Sequence, residues 1–206
     1  MKNLFSILFM GILSAGLFNP LSAQDDFNEI YAGYAPGGVG PQLLYELSMD
    51  IIDDFFKPAA YDAVSDKIKS SGNISLGYNR FLKDWLKVGI TASYVHYTVQ
   101  KEYTFASVGS VHTVEWRDAF ISGLLSADFH YLRKKNISMY SGVSAGICFV
   151  RSDILEGDSM IKMEDSNIFA YHLNAIGVRF GHSVGFFLET GFGYKGILNG
   201  GLSFKF

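Results

Sequence analysis

The sequence predicts an all-β protein, an eight-stranded antiparallel up-and-down transmembrane β-barrel. Apolar and polar residues alternate along much of the chain, which places them on opposite faces of strands. Aromatic residues make up 16% of the 206 residues, and glycine (22) far outnumbers proline (4), as suits barrel strands. After residue 23 no apolar run is long enough for a helical span, and a closed barrel is the other backbone arrangement that lipid permits.

The first 23 residues have the three parts of a secretory signal peptide. Lys2 supplies the positive charge, Leu4 to Phe18 form a short apolar stretch, and Leu21 to Ala23 end in small residues. We expect cleavage before Gln24. Residues 24–206 then form one barrel domain.

Eight segments of the mature chain have strand character. In the last one the apolar residues Leu198, Leu202, Phe204 and Phe206 share a face, and small or polar residues occupy the positions between them. This strand follows a turn predicted at Lys195–Gly196 and is expected to close the sheet against the first strand. The predicted strands lie near residues 28–35, 72–81, 85–97, 114–132, 137–151 and 167–180, followed by two strands in 184–206. In the sixth strand the apolar residues change from odd positions (Tyr171, Leu173) to even positions (Ile176, Val178, Phe180). A β-bulge near Asn174–Ala175, which adds one residue to the strand, would keep them all on one face.

The connections between these strands alternate in length. Those at 82–84, 133–136 and 181–183 are short, whereas those at 36–71, 100–113 and 152–166 are long. Short periplasmic turns and long external loops are typical of outer-membrane barrels, so the predicted location is the cell outer membrane. Aromatic rings favour the lipid–water boundaries, and those predicted there are Trp85, Phe129, Tyr131, Phe180, Phe186, Phe204 and Phe206 on the periplasmic side and Tyr34, Tyr94, Phe149, Phe169, Tyr171 and Tyr194 on the outer side.

The signal peptide, the alternating strands and above all the terminal segment GFGYKGILNGGLSFKF (191–206) resemble the small outer-membrane barrels of the OmpA/OmpX type. The resemblance covers the whole mature chain and implies architecture rather than activity. It implies that outer-membrane lipid surrounds the barrel and that the outer-membrane assembly machinery reads the terminal strand. That signal would fall on Leu202, Phe204 and Phe206.

Charged residues on the inward parity of the strands predict a filled interior. Eight strands enclose a space only wide enough for side chains, and buried charges need partners. We therefore expect a network of ion pairs and hydrogen bonds with no open pore, in which Glu189 lies near Lys205. The predicted members of the network are Lys87, Asp128, His130, Arg179, Glu189 and Lys205.

The first long connection contains a predicted amphipathic helix at residues 41–57. Leu44, Leu47, Ile51 and Phe55 recur at helical spacing, and acidic residues occupy the opposite face. The helix either packs on the barrel mouth or serves as a lid or docking element for a partner.

Composition and motifs leave three classes of function. The net charge of −3 gives no basic surface for nucleic acid, and the lone Cys148 excludes an intramolecular disulfide and a cysteine-rich metal site. The first class, which we favour, is a structural, adhesion or partner-binding protein that acts through its external loops, with no enzymatic activity and no cofactor. The second is a membrane-embedded lipid-modifying enzyme, for which His182, Ser183 and Glu189 are the best set available. The third is a soluble lipocalin-like carrier with its apolar faces turned inward.

Overall fold

The computed structural model describes residues 28–36, 61–105, 111–156, 159–163 and 165–206, and the structural statements below refer to these residues. The predicted signal peptide and the predicted helix at 41–57, with Leu44, Leu47, Ile51 and Phe55, lie outside them. The strands are β1 Asn28–Ala35, β2 Tyr61–Ser70, β3 Asn73–Lys83, β4 Leu86–Phe105, β5 Val111–Lys134, β6 Ile137–Glu156, β7 Ser159–Lys162, β8 Ser166–Gly181, β9 Val184–Gly193 and β10 Leu198–Lys205.

Eight of these strands close into a ring in which each pairs antiparallel with the next along the chain. The order is β1, β3, β4, β5, β6, β8, β9 and β10, and β10 returns to pair with β1. Two backbone hydrogen bonds of 3.0 Å between Asn28 and Phe206 complete the closure. The predicted fold class, an antiparallel up-and-down barrel closed by the terminal strand, is confirmed. We call the end that holds Asn28 and Phe206 the terminal end.

Burial is inverted relative to a water-soluble barrel. Large apolar side chains such as Leu125 (69% exposed) and Leu202 (64% exposed) cover the outside, whereas Lys87 and Glu189 are buried within the ring. A contiguous apolar surface of this extent on a soluble protein would drive association, but it suits contact with lipid. The lipocalin-like alternative is therefore wrong for the described residues, because it requires the apolar faces to line a cavity.

The apolar band is nearly as tall as the lipid-facing band of outer-membrane barrels, which is about 25 Å. On β4 it runs from Leu86 to Tyr94, a span of about 26 Å along the strand and about 20 Å across the membrane at a tilt of about 40°. Its upper limit is a set of outward residues placed side by side on successive strands. This upper apolar ring consists of Tyr34, Ile74, Tyr94, Ile121 and Phe149.

Beyond the upper apolar ring the sheet continues on one side of the barrel. The strands β4, β5 and β6 extend past it, β2 pairs with β4, and β7 pairs with β6. We call this five-stranded part the extension, and the barrel end that bears it the extended end. The sequence prediction of loops at 100–113 and 152–166, and throughout 36–71, is wrong where these strands lie. Strands above the membrane meet water on both faces and lack the alternation that marks a membrane strand.

Two local features decide the register of the interior residues. The predicted bulge in the sixth strand is confirmed by a register shift between Asn174 and Ile176. The predicted turn at Lys195–Gly196 is confirmed, since the β9–β10 connection is residues 194–197. The pairing register of this hairpin, however, places Glu189 opposite Asn199. Lys205 is instead hydrogen-bonded through its backbone to Ser183. The predicted proximity of Glu189 and Lys205 is therefore wrong.

Candidate functional site

Glycines make room for the large interior side chains. Tyr31 points inward from β1 across Gly77 of β3, its register partner. A Cβ atom at Gly77 would clash with Cε1 of the Tyr31 ring. The ring also packs edge-on against Phe187, and its hydroxyl lies 2.5 Å from Oγ1 of Thr91. The missing side chain at Gly77 thus lets an aromatic ring cross the barrel.

A cluster of four charged side chains occupies the interior toward the terminal end. Nζ of Lys87 lies 3.1 Å from Oε2 of Glu29 and 3.3 Å from Oδ2 of Asp128. Nε of Arg179 lies 2.8 Å from Oε1 of Glu29. Each charge therefore has an opposite charge in contact, which is the condition under which buried ions are tolerated.

Arg179 also holds the short β8–β9 turn in place. Its guanidinium donates to the carbonyl oxygens of Gly181, His182 and Ser183 at 2.6, 2.9 and 3.2 Å, and to Oγ of Ser203 at 2.6 Å. A guanidinium carries five N–H donors in a fixed plane, so one side chain can satisfy the turn and the Glu29 carboxylate together. Arg179 thus anchors the terminal end of the barrel to its interior.

A second cluster lies toward the extended end around Glu189. Its carboxylate accepts hydrogen bonds from the Tyr140 hydroxyl at 2.9 Å, from Nζ of Lys195 at 2.7 Å and from Nδ2 of Asn199 at 3.1 Å. Lys195 belongs to the β9–β10 turn, which folds into the barrel and buries both Lys195 and Tyr194. The prediction that Tyr194 lies at the outer lipid–water boundary is therefore wrong.

Tyr140 joins the two clusters. Its hydroxyl contacts Glu189, and Nζ of Lys87 lies 4.6 Å from the centre of its ring. The three acids Glu29, Asp128 and Glu189 and the three bases Lys87, Arg179 and Lys195 are all at most 8% exposed. Their formal charges cancel. The space left among them is about 10 Å³, about one water molecule.

An apolar cluster covers this charged interior on the side of the extended end. Phe120 and Val150, which are partly buried, pack against it. The Tyr97 and Phe120 rings meet edge to face at 6.1 Å. Its buried members are Val95, Tyr97, Leu124, Cys148, Ala170 and Tyr194.

The structure places the six predicted interior residues in three environments. Lys87, Asp128, Arg179 and Glu189 belong to the charged clusters described above. His130 is buried between the rings of Phe81 and Tyr140, with centroid distances of 5.0 and 4.9 Å. Neither ring nitrogen of His130 has a hydrogen-bond partner among the described residues.

The sixth predicted residue, Lys205, is only partly buried. Its Nζ lies 5.3 Å from the centre of the Phe81 ring, and it forms no ion pair with the described residues. Glu29 and Lys195 also belong to the interior network, although the sequence pattern did not predict them. Glu29 could have been assigned to the interior from the alternation of its strand, because the even-numbered Ile30 and Tyr34 point outward and the odd-numbered Glu29 must point inward. Lys195 lies in a turn, where no periodicity exists to reveal it.

The residues considered for lipid hydrolysis do not converge. Oγ of Ser183 lies 3.5 Å from Nδ1 of His182, but both carboxylate oxygens of Glu189 are bonded in the interior cluster. Glu189 is six residues from Ser183, about 20 Å along the strand. Among the described residues there is also no group of three or more His, Cys, Asp or Glu side chains that could hold a metal ion.

The residues of the predicted assembly signal face lipid. Leu202, Phe204 and Phe206 are exposed on the outside of the barrel, and the rings of Phe204 and Phe206 stack at 5.8 Å. Beside them, Phe180 and Phe186 stack at 5.1 Å. The terminal strand thus presents an aromatic surface at the terminal end.

No protein-family model matches the sequence, and no curated protein does. Three solved structures are similar in strand arrangement. Ail, the attachment invasion locus protein of Yersinia pestis, is 9% identical, with 88% of this chain and 96% of that chain covered and a TM-score of 0.40. The N-terminal β-barrel domain of Pseudomonas aeruginosa OprF is 14% identical, with 88% of this chain and 98% of that chain covered and a TM-score of 0.36. LpxR from Salmonella typhimurium is 10% identical, with 87% of this chain and 100% of that chain covered and a TM-score of 0.24. Among the described residues no helix is long and apolar enough to cross a membrane.

Proposed function

We propose that this chain is an outer-membrane barrel with a structural, adhesive or partner-binding role, exercised outside the cell by its extended end. The observation that carries the proposal is the contrast between the two halves of the molecule. The interior is filled by paired charges with about 10 Å³ of free space. The sheet, however, continues well beyond the lipid-facing band.

The filled interior argues against transport. A barrel of eight strands has room only for its own side chains, and here those side chains form a neutral network beneath an apolar cluster. An ion or small solute would have to break several buried ion pairs to pass. We therefore expect no stable conductance above background when the purified barrel is inserted in a planar bilayer.

The extension supplies a surface large enough for a protein partner. From the upper apolar ring at Tyr94 to the end of β4 at Phe105 there are 11 residues, about 36 Å of strand. The connection between Ala35 and Tyr61 begins and ends at the extended end. The predicted amphipathic helix at 41–57 would be displayed beside the extension, where it could dock a partner.

Two shortened variants test this proposal. In the first, residues 100–115 are replaced by Asn-Gly, which joins the paired residues Val99 and Trp116 through a two-residue hairpin turn. In the second, residues 42–57 are deleted. Cells that display wild-type protein are compared with each variant for attachment to immobilised host-cell or matrix proteins.

We expect at least one shortened variant to lose most of the attachment while its gel mobility still shifts on heating, as a folded barrel's does. Equal attachment by wild type, both variants and cells without the protein would refute the adhesive role. Loss of the heat shift would signify an unfolded barrel, and a milder Gln100→Ala, Glu115→Ala variant with the full-length hairpin would then replace the first deletion.

We also propose that Leu202, Phe204 and Phe206 form the signal for the assembly machinery. All three side chains face outward from the barrel, and the rings of Phe204 and Phe206 stack. A Phe204→Ala, Phe206→Ala variant should accumulate as unassembled protein in cells, yet fold normally from urea into detergent. Normal assembly in cells would refute this role.

A further inference from the structure

A polar depression lies on the outer surface of the extension, on the opposite side of the sheet from the charged interior. Its volume is about 360 Å³. The side chains that line it come from three adjacent strands, β2, β4 and β5. They are Lys69, His96, Thr98, Gln100, Glu115 and Arg117.

Strand register fixes the height of this depression relative to the membrane. Lys69 lies opposite Thr98, and Thr98 lies opposite Arg117, so these three form one row across the sheet. His96 and Thr98 follow Tyr94 of the upper apolar ring on the same face. At about 3.3 Å per residue and a tilt of about 40° they lie about 5 and 10 Å above it. The head groups of a bilayer occupy some 5–8 Å on each side of the hydrocarbon, so His96 lies within this layer and the row of Lys69, Thr98 and Arg117 lies at its outer edge.

The charges in the depression leave cationic groups available. Arg117 donates through Nε to Oε1 of Glu115 at 2.5 Å, and Gln100 contacts Oε2 of Glu115 at 3.5 Å. The Glu115 carboxylate, the single one in the depression, is therefore paired with Nε of Arg117. The two terminal nitrogens of the Arg117 guanidinium do not take part in this bond. Lys69 is exposed and has no carboxylate partner among the described residues.

Among the described residues the far side of the barrel has no counterpart, and Arg151 of β6, which also faces outward above the upper apolar ring, is paired with Asp165. On β8, β9 and β10, the outward-facing residues nearest the extended end include Asn167, Phe192 and Leu198, none of which is charged. The cationic depression is thus a local feature of the wall that carries the extension. It lies directly above the apolar surface of Ile74, Tyr94 and Ile121.

We propose that this depression binds the phosphate group of an outer-leaflet lipid head group. Lysine and arginine side chains are the usual partners of phosphate, and the Thr98 hydroxyl and the His96 ring add hydrogen-bond donors. The acyl chains of the same lipid would lie on the apolar residues below, a contact that a free phosphate ion cannot make. The inference rests on the membrane placement in the proposed function, but not on adhesion.

The test measures lipid retention by the purified barrel. Native mass spectrometry in an uncharged detergent counts the molecules of phosphatidylglycerol or of lipopolysaccharide bound at increasing concentrations, with phosphatidylcholine as the zwitterionic comparison. The variant is Lys69→Gln, Arg117→Gln. The matched control is Lys134→Gln, Lys135→Gln, which removes two exposed lysines at the terminal end. A Lys69→Arg, Arg117→Lys variant keeps both charges.

We expect Lys69→Gln, Arg117→Gln to weaken retention of the anionic lipids about 25-fold, about fivefold for each cation near a membrane surface. The control pair and the charge-preserving variant should bind as wild type. Retention unchanged in Lys69→Gln, Arg117→Gln, or weakened equally in the control pair, would overturn the proposal. So would full displacement of the lipid by millimolar inorganic phosphate, because the site would then recognise phosphate alone.

The outcome is separable from that of the adhesion test. The hairpin-shortened variant described above keeps Lys69, His96, Thr98 and Arg117. It can therefore lose attachment and still retain lipid, and the Lys69→Gln, Arg117→Gln variant can lose lipid and still attach. Heat-shifted gel mobility establishes in each case that the barrel is folded.

Discussion

Replacement of Lys87 by methionine should be among the most damaging single changes to this barrel. The Lys87 ammonium lies between the carboxylates of Glu29 and Asp128, at 3.1 and 3.3 Å, and is 4% exposed. Methionine fills a similar volume but leaves both carboxylates without this partner. Glu29 keeps Arg179 at 2.8 Å, whereas Asp128 has no other ion pair among the described residues. Removal of one member of a buried pair costs about 3–5 kcal/mol of folding free energy.

A second substitution isolates the reason for that loss. In Lys87→Met, Asp128→Asn the uncompensated charge is removed, and the remaining pair of Glu29 and Arg179 is intact. Because a neutral replacement of a buried ion pair is often close to neutral in stability, the double variant should recover most of the loss. Lys135→Met, in an exposed turn, should change the stability by no more than about 0.5 kcal/mol.

Equilibrium unfolding in urea measures these differences. The barrel is folded into lipid vesicles, and the fluorescence of its two tryptophans is followed together with heat-shifted gel mobility. Equal midpoints for Lys87→Met and Lys135→Met would refute the view that the interior charges are mutually dependent. The same conclusion would follow if Lys87→Met, Asp128→Asn were no more stable than Lys87→Met.

Two further predictions concern the lipid face and the interior glycines. Leu125→Arg, near the middle of the apolar band, should lower the unfolding free energy in vesicles by about 2–4 kcal/mol, whereas Ile121→Arg, on the upper apolar ring, should lower it by about 0–1 kcal/mol; equal effects would contradict the assigned depth. Gly77→Ala forces the Tyr31 ring to move and should cost about 1–3 kcal/mol. Gly123→Ala, where an added Cβ meets nothing within 4 Å, should be tolerated in the same urea titration, and an equal loss in both would refute the steric explanation.

The membrane-spanning strands could be predicted from sequence because lipid imposes a strict rule on them. Each outward residue of such a strand meets lipid, and apolar outward residues alternate with inward ones, as the pattern from Leu198 to Phe206 shows directly. Above the upper apolar ring the rule no longer applies. Thr98 and Arg117 face outward yet are polar, so the alternation ends there although the backbone pairing continues. The extension was therefore predicted as loops.

Parity alone could place side chains inside the barrel, but it could not assign their partners. Glu189 pairs with Lys195 and not with Lys205 because the β9–β10 hairpin turns around Tyr194. A shift of three positions in the pairing register changes which residues are neighbours. It also carries Lys195, a turn residue with no inward or outward parity, into the interior. Such pairings depend on turn geometry, which short glycine-containing sequences leave open.

The balance of charge in the interior limits what this barrel can do. A channel that selects ions needs charges that face water and can exchange partners. Here the carboxylates of Glu29, Asp128 and Glu189 form ion pairs with Lys87, Arg179 and Lys195. Because these groups are buried, breaking a pair would leave a charge without a partner in a medium of low dielectric constant. The network consequently stabilises the wall instead of offering a path. Recognition of any partner must then depend on surfaces outside the ring, and the extension is such a surface.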